Sequence, residues 1–132
     1  MIGTFAPCNA VLVVEDDPDI LLTLQELLQQ EGYQVLTAIN GLEALNALAT
    51  IDRPVLILLD LFMPVMDGWQ FLKALPNLHN AFVTASPILI ISASGEKAAE
   101  AAKGVQGLIK KPIDLDELLL MVEKFCPLRS AA

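Results

Sequence analysis

Acids and lysines stand where short apolar runs of this chain end. Ala10 to Val14 runs into Glu15, Asp16 and Asp17, Val55 to Leu59 runs into Asp60, and Gly107 to Ile109 runs into Lys110, Lys111 and Pro112. Carboxylates brought together raise one another's proton affinity or demand a cation. If Glu15, Asp16 and Asp60 share a pocket with Lys111, three negative charges face one positive charge, and a divalent ion restores neutrality. Mg2+ suits such a place because it takes oxygen ligands from one or two carboxylates and keeps positions for water and phosphate. The set therefore points to phosphoryl chemistry. Asp60 is the best-placed nucleophile, standing alone before a loop that contains Pro64 and Gly68, and a carboxylate attacking phosphorus yields an acyl phosphate. Cationic groups offset charge on the transferring oxygens. Ser92, at the end of another apolar run, offers a hydroxyl to one of them.

Elements must bring these residues together. Pro18 to Glu31 places Ile20, Leu21, Leu24, Leu27 and Leu28 at helical spacing, with Asp17 as N-cap, Pro18 in the first turn and Gly32 at the stop. Tyr33 to Ala38 predicts a strand, alternating enough for a sheet edge, and Gly41 to Thr50 predicts a helix. Val55 to Leu59 is too uniformly apolar for an exposed strand. Gly68 to Leu75 predicts a helix that Pro76 ends, Asn77 to Ser86 a loop, and Ile88 to Ile91 a buried strand. Glu96 to Lys103 predicts a short helix closed by Gly104; a fifth strand reaches Ile109, and a helix from Asp114 to Phe125 starts with a capping-box pattern at Asp114 and Glu117. Five alternations of strand and helix predict an α/β domain with an open parallel sheet and right-handed crossovers. In such a sheet, ligands bind outside the carboxyl ends of the strands, where these charges fall.

At 132 residues and 55% hydrophobic composition, the chain forms one domain with an ample core. The expected division is an N-terminal extension over residues 1–9, the domain over 10–126 and a tail over 127–132. No apolar stretch is long enough for a membrane span, and the start lacks the basic and apolar regions of a signal peptide. The expected location is the cytoplasm. A net charge of −8 with no basic patch argues against nucleic acid as a partner. Cys8 and Cys126 lack metal-type spacing and lie near opposite ends of the chain, so two reduced thiols are expected.

Some of these residues have simpler explanations. Asp17 is accounted for as a cap before Pro18. Lys110 reads as a solvated neighbour of Lys111, and the lone His79, in a polar segment, as an exposed side chain rather than a phosphate carrier. Ser92 taken alone is an ordinary strand-end residue. The combination with Asp60 is what gives these residues weight.

That combination resembles the receiver domain of two-component response regulators, in particular the stand-alone, chemotaxis-regulator-like kind. The segments VVEDDP (13–18), LDLFMPVMDG (59–68), ISA (91–93) and Lys111-Pro112 look like the family's four signatures in order, over about residues 10 to 126. The resemblance implies a flavodoxin-like, doubly wound five-stranded sheet of order 2-1-3-4-5 with five helices. It implies that Asp60 accepts phosphate from a phosphohistidine on a sensor histidine kinase or a histidine phosphotransfer protein. Mg2+ would be held by Asp16 and Asp60, by the backbone carbonyl of Phe62, and by Glu15 through water. Ser92 and Lys111 would contact the phosphoryl group, and Lys111-Pro112 would be cis. A downstream protein partner would bind the face of the fourth helix, fifth strand and fifth helix. On this reading the protein is a switch rather than an enzyme, beyond Mg2+-dependent phosphorylation and dephosphorylation of itself.

Two departures concern the output face. Leu108 stands where relatives carry a switching Tyr or Phe, and Leu has no polar tip to present. The stretch from Ser92 to Lys111 is a few residues shorter than usual, which trims the fourth helix. These departures leave room for a receiver-like docking or dimerisation module that signals without phosphorylation. A small Mg2+-dependent aspartyl phosphatase is disfavoured because Phe62 occupies the place of a second acid and no cap domain is present. Phe62 and Ser94 are expected to control water access to the acyl phosphate.

Overall fold

The computed structural model describes residues 8–93 and 95–128. The expected effect of Ser94, and the outer parts of the extension and tail, lie outside those residues. Five parallel strands form one sheet of order β2-β1-β3-β4-β5, with β1 at Ala10–Val14, β2 at Gln34–Ala38, β3 at Leu56–Asp60, β4 at Ile88–Ser92 and β5 at Gly107–Lys110. The alternating strand, β2, is indeed at an edge, while β1, β3 and β4 are buried along their whole length. Parallel strands covered on both faces need apolar side chains in both directions, which their sequences supply.

Six α-helices occur among the described residues: α1 (Pro18–Gln30), α2 (Gly41–Leu48), α3 (Gly68–Ala74), α4 (Ala81–Thr84), α5 (Glu96–Ala102) and α6 (Leu115–Phe125). The sequence predicted five. The addition is α4, in the segment expected to be loop, preceded by a 3-10 turn over Leu75–Asn77. Asn80 explains it: its side-chain oxygen accepts the Phe82 N–H at 2.9 Å, while its amide donates to the Leu48 and Ile51 carbonyls at 3.1 and 3.0 Å. One residue thus caps α4 and ties it to the end of α2.

Successive strand residues point to opposite faces, so each strand feeds two cores. Val11, Val13, Leu58, Leu89 and Ile109 pack with Leu24 and Leu28 of α1 and Leu118, Val122 and Phe125 of α6. On the other face Leu12, Val14, Ile57 and Leu59 meet Leu48 of α2, Phe71 of α3 and Val83 of α4. Leu108 is half-buried there, against a smaller cluster of Leu61, Ile90 and Ala98. No described helix is long and apolar enough to cross a membrane.

The expectation of two reduced thiols is overturned, because Cys8 and Cys126 form a disulfide with a Cα–Cα distance of 5.1 Å. The topology supplies the reason. The chain enters β1 at the amino end of the sheet, and α6 runs back against the strands to finish at that same end, so two cysteines 118 residues apart become neighbours.

Candidate functional site

Strand register delivers the charged residues to one level. Val14 pairs with Leu59, Asp60 with Ile91, and Ser92 with Lys110, so Glu15, Asp60, Ser92 and Lys111 fall in a row across the carboxyl ends of four strands. The Glu15 N–H donates to the Ala38 carbonyl at 3.0 Å, and the Lys111 N–H to the Ser92 carbonyl at 2.9 Å, extending the sheet to the site residues themselves. Lys111-Pro112 is cis.

Carboxylate oxygens of Glu15, Asp16 and Asp60 all lie within 4.8 Å of one another. Glu15 and Asp60 are buried and Asp16 is exposed, so the cluster opens to solvent on one side. Lys111 Nζ donates to Glu15 Oε1 at 3.0 Å and lies 3.5 Å from Asp60 Oδ1. The other Glu15 oxygen accepts the Asp17 N–H at 3.1 Å, which leaves that carboxylate occupied by protein donors. Asp17 also caps α1, accepting the Asp19 N–H at 2.9 Å.

The cluster carries more negative charge than its surroundings balance. Burial, and then the neighbouring Glu15 charge, push the Asp60 carboxyl up to about 7, against the pull of Lys111 and a hydrogen bond from the Phe62 backbone. Burial acts to lower Lys111, but its hydrogen bond to Glu15 and the Asp60 charge outweigh that and hold the ammonium above its usual value. The Ser92 hydroxyl is buried and is without a hydrogen-bond partner among the described residues. A buried hydroxyl left unpaired is costly, and this one belongs to the residue after Ile91, the register partner of Asp60.

The loop after β3 is held from both sides. The Gly68 N–H donates to the Leu61 carbonyl at 2.9 Å, and a Cβ at Gly68 would lie 2.7 Å from the Asp60 carbonyl oxygen and 2.8 Å from Leu61 Cα. Only glycine lets α3 start this close to the strand that carries Asp60. Gly41 plays the matching part from α2, donating its N–H to the Met66 carbonyl at 2.8 Å. Between them Val65 adopts φ of 69°, and the Met66 N–H bonds back to the Pro64 carbonyl at 2.8 Å. Gly41 went unnoticed in the sequence because, as the first residue of a helix, it carries no signal of a contact 25 positions away.

Phe62 is 62% exposed and rests edge-on against Trp69, with ring centroids 5.1 Å apart. His79 is exposed, as is Lys110. The site thus gathers the side chains of Glu15, Asp16, Asp60 and Lys111, with Ser92 in the same row at the end of β4, and leaves those two outside.

Comparison with known proteins agrees with this geometry. The family model described as the response regulator receiver domain matches residues 11–123. Sporulation initiation phosphotransferase F of Bacillus subtilis is 37% identical over 123 residues, covering 91% of this chain and 95% of that protein. The transcriptional regulatory protein PrrA of Mycobacterium tuberculosis is 38% identical over 116 residues; the match covers 86% of this chain but only 48% of that protein, so the chain spans about half its length. A solved chemotaxis response regulator of Vibrio cholerae superposes with a TM-score of 0.77 at 34% identity, covering 89% of this chain and 98% of the other. The sheet order, the acidic cluster at its carboxyl edge and these relatives agree: this chain belongs to the response regulator receiver domain family of two-component systems.

Proposed function

We propose that Asp60 is the phosphoacceptor of a signalling switch, taking a phosphoryl group from a phosphohistidine of a histidine kinase or histidine phosphotransfer protein in the cytoplasm. The observation that carries this reading is the buried Asp60 carboxylate beside Glu15, Asp16 and Lys111, with the unpaired Ser92 hydroxyl at the end of the next strand. An Asp60 oxygen attacks phosphorus, the phosphorus–nitrogen bond breaks, and the departing imidazole keeps the electron pair and takes a proton. Lys111 stays protonated and faces the added negative charge, and Ser92 turns its O–H to a phosphoryl oxygen.

The residues fit a Mg2+ ion. Three carboxylates with oxygens within 4.8 Å share one nearby ammonium, a donor set of hard oxygens that suits a divalent cation. Asp16 and Asp60 would hold the ion with the Phe62 carbonyl, and Glu15, already engaged by Lys111 and the Asp17 N–H, would act through water. Bound there, Mg2+ supplies charge neutralisation for the oxygens of the transferring group. Pairing of the Ser92 hydroxyl with a phosphoryl oxygen draws the end of β4 toward Asp60, and the altered population of α5, β5 and α6 changes affinity for a protein partner. The protein is not an enzyme acting on separate substrates; its chemistry is confined to gaining and losing its own phosphoryl group.

The test is intact-mass measurement after incubation with Mg2+ and a small phosphodonor. The wild type gains one phosphoryl mass and Asp60→Asn gains none. Equal uptake by both would refute the assignment.

A further inference from the structure

The geometry points to a second chemical site at the opposite end of the sheet: the Cys8–Cys126 pair is a thiol–disulfide switch that fastens or frees the last turn of α6. Both cysteines are buried, Cys8 at 9% exposure on the rim and Cys126 at 0%. Around them three chain segments meet. The Cys8 N–H donates to the Pro127 carbonyl at 3.1 Å, the Tyr33 hydroxyl donates to the Cys126 carbonyl at 2.7 Å, and the Gln34 N–H donates to the Asn9 carbonyl. The disulfide and these hydrogen bonds together join the entry to β1, the start of β2 and the exit of α6.

The two bonded segments also meet at their other ends. β1 leads up to Glu15 and α6 descends from Lys111-Pro112, and Glu15 and Lys111 are joined by their 3.0 Å ion pair. The disulfide and that ion pair close a ring through β1 and α6. β1 lies between β2 and β3 and is buried throughout, so the sheet holds it whatever the state of the sulfurs. α6 packs by one face, through Leu118, Val122 and Phe125, and is tied at its carboxyl end by the Tyr33 and Cys8 hydrogen bonds, while Leu120 is 71% exposed. Opening the ring at the sulfur end thus leaves the carboxyl turn of α6 to its packing and to the Tyr33–Cys126 and Cys8–Pro127 hydrogen bonds, so it loosens before β1 does, with Glu15 and Lys111 left in place.

This inference rests on the proposed function in one respect: a receiver working beside a histidine kinase in the cytoplasm sits among reduced thiols, where a disulfide is a transient, sensing bond and not a permanent brace. The reductant is a dithiol, either a thioredoxin-like protein or its small-molecule equivalent. Its thiolate attacks the rim sulfur of Cys8, the Cys8–Cys126 bond breaks, and Cys126 leaves as a thiolate that takes a proton. The second thiol of the reductant then attacks the mixed disulfide and frees Cys8. Two electrons and two protons pass to the pair, and the dithiol becomes a disulfide.

The experiment uses the full chain equilibrated in glutathione buffers from oxidising to reducing, with unreacted thiols alkylated and counted by mass and amide exchange followed in parallel. Expected are no alkylated cysteines at the oxidising end, two at the reducing end, and a midpoint inside the range. Reduction should quicken amide exchange over residues 122–128 by about tenfold or more, and by a clearly larger factor than over residues 11–15. Cys8→Ser, at the rim, should show the fast exchange in every buffer. A pair that stays oxidised throughout is a structural brace, and a pair that never oxidises is no bond at all; either result overturns the proposal, as does unchanged exchange at 122–128. None of these readouts involves phosphate, so failure here is distinct from failure at Asp60.

Discussion

Asp60 is asked to be two things at once, buried and charged. Its side chain is nearly enclosed, yet it must present an anion to phosphorus, and its proton affinity, raised to about 7 by burial and Glu15, measures that conflict. In the unfolded chain the same carboxyl titrates near 3.8. Between these values the folded state keeps a proton that the unfolded state has lost, so stability without metal falls as pH rises from about 4 to about 7. The ceiling on that fall is about 4 kcal/mol. Denaturant melts of the Mg2+-free protein across this range should show the decline, and Asp60→Asn should flatten it and be the more stable of the two at pH 8. A wild type whose stability rises over the same window would contradict the strained-anion account. The sequence showed which acids were involved, because each follows an apolar run, but not this imbalance, which depends on how far apart the oxygens sit and how deeply they lie.

The loop from β3 to α3 carries the strain that sets Asp60 in place. Val65, a β-branched residue at φ of 69°, occupies a conformation in which its side chain is crowded, and Gly68 admits the loop's close return to the strand. Substitutions at these two positions should therefore act in opposite directions. Val65→Gly relieves the crowding and should stabilise by about 1 kcal/mol. Gly68→Ala forces a methyl into backbone and should cost about 1–3 kcal/mol, with slower phosphoryl uptake because the displaced backbone belongs to Asp60 and Leu61. Thermal melts and uptake rates of the two variants test the pair. Elements of this length were legible where periodicity or apolarity ran for several residues, as in α1, α6 and the three central strands. The four-residue α4 was not, since its cause is the reach of Asn80 to carbonyls at the end of α2, about thirty positions earlier.

For the whole molecule, the carboxyl edge of the sheet gathers acids and the amino edge gathers the disulfide, with β1 and α6 joining them. The fold class and strand order followed from the alternation of elements and from the family signatures. The disulfide did not, because 118 residues separate the cysteines and only the direction of α6 makes them meet. A ligand that binds only the folded state stabilises the entire domain. Mg2+ at one hundred times its dissociation constant should therefore add about 2.7 kcal/mol, and Asp16→Asn should abolish most of that gain without unfolding the protein, since Asp16 is exposed. Melts that ignore Mg2+ would remove the metal from the account.

The most direct check of the account is to locate the modification. After phosphorylation by a small donor with Mg2+, reduction of the acyl phosphate by borohydride followed by proteolysis and peptide sequencing by mass should find the label at Asp60. Label at Asp16, Glu15 or His79, or a phosphate bond that borohydride does not touch, would contradict it.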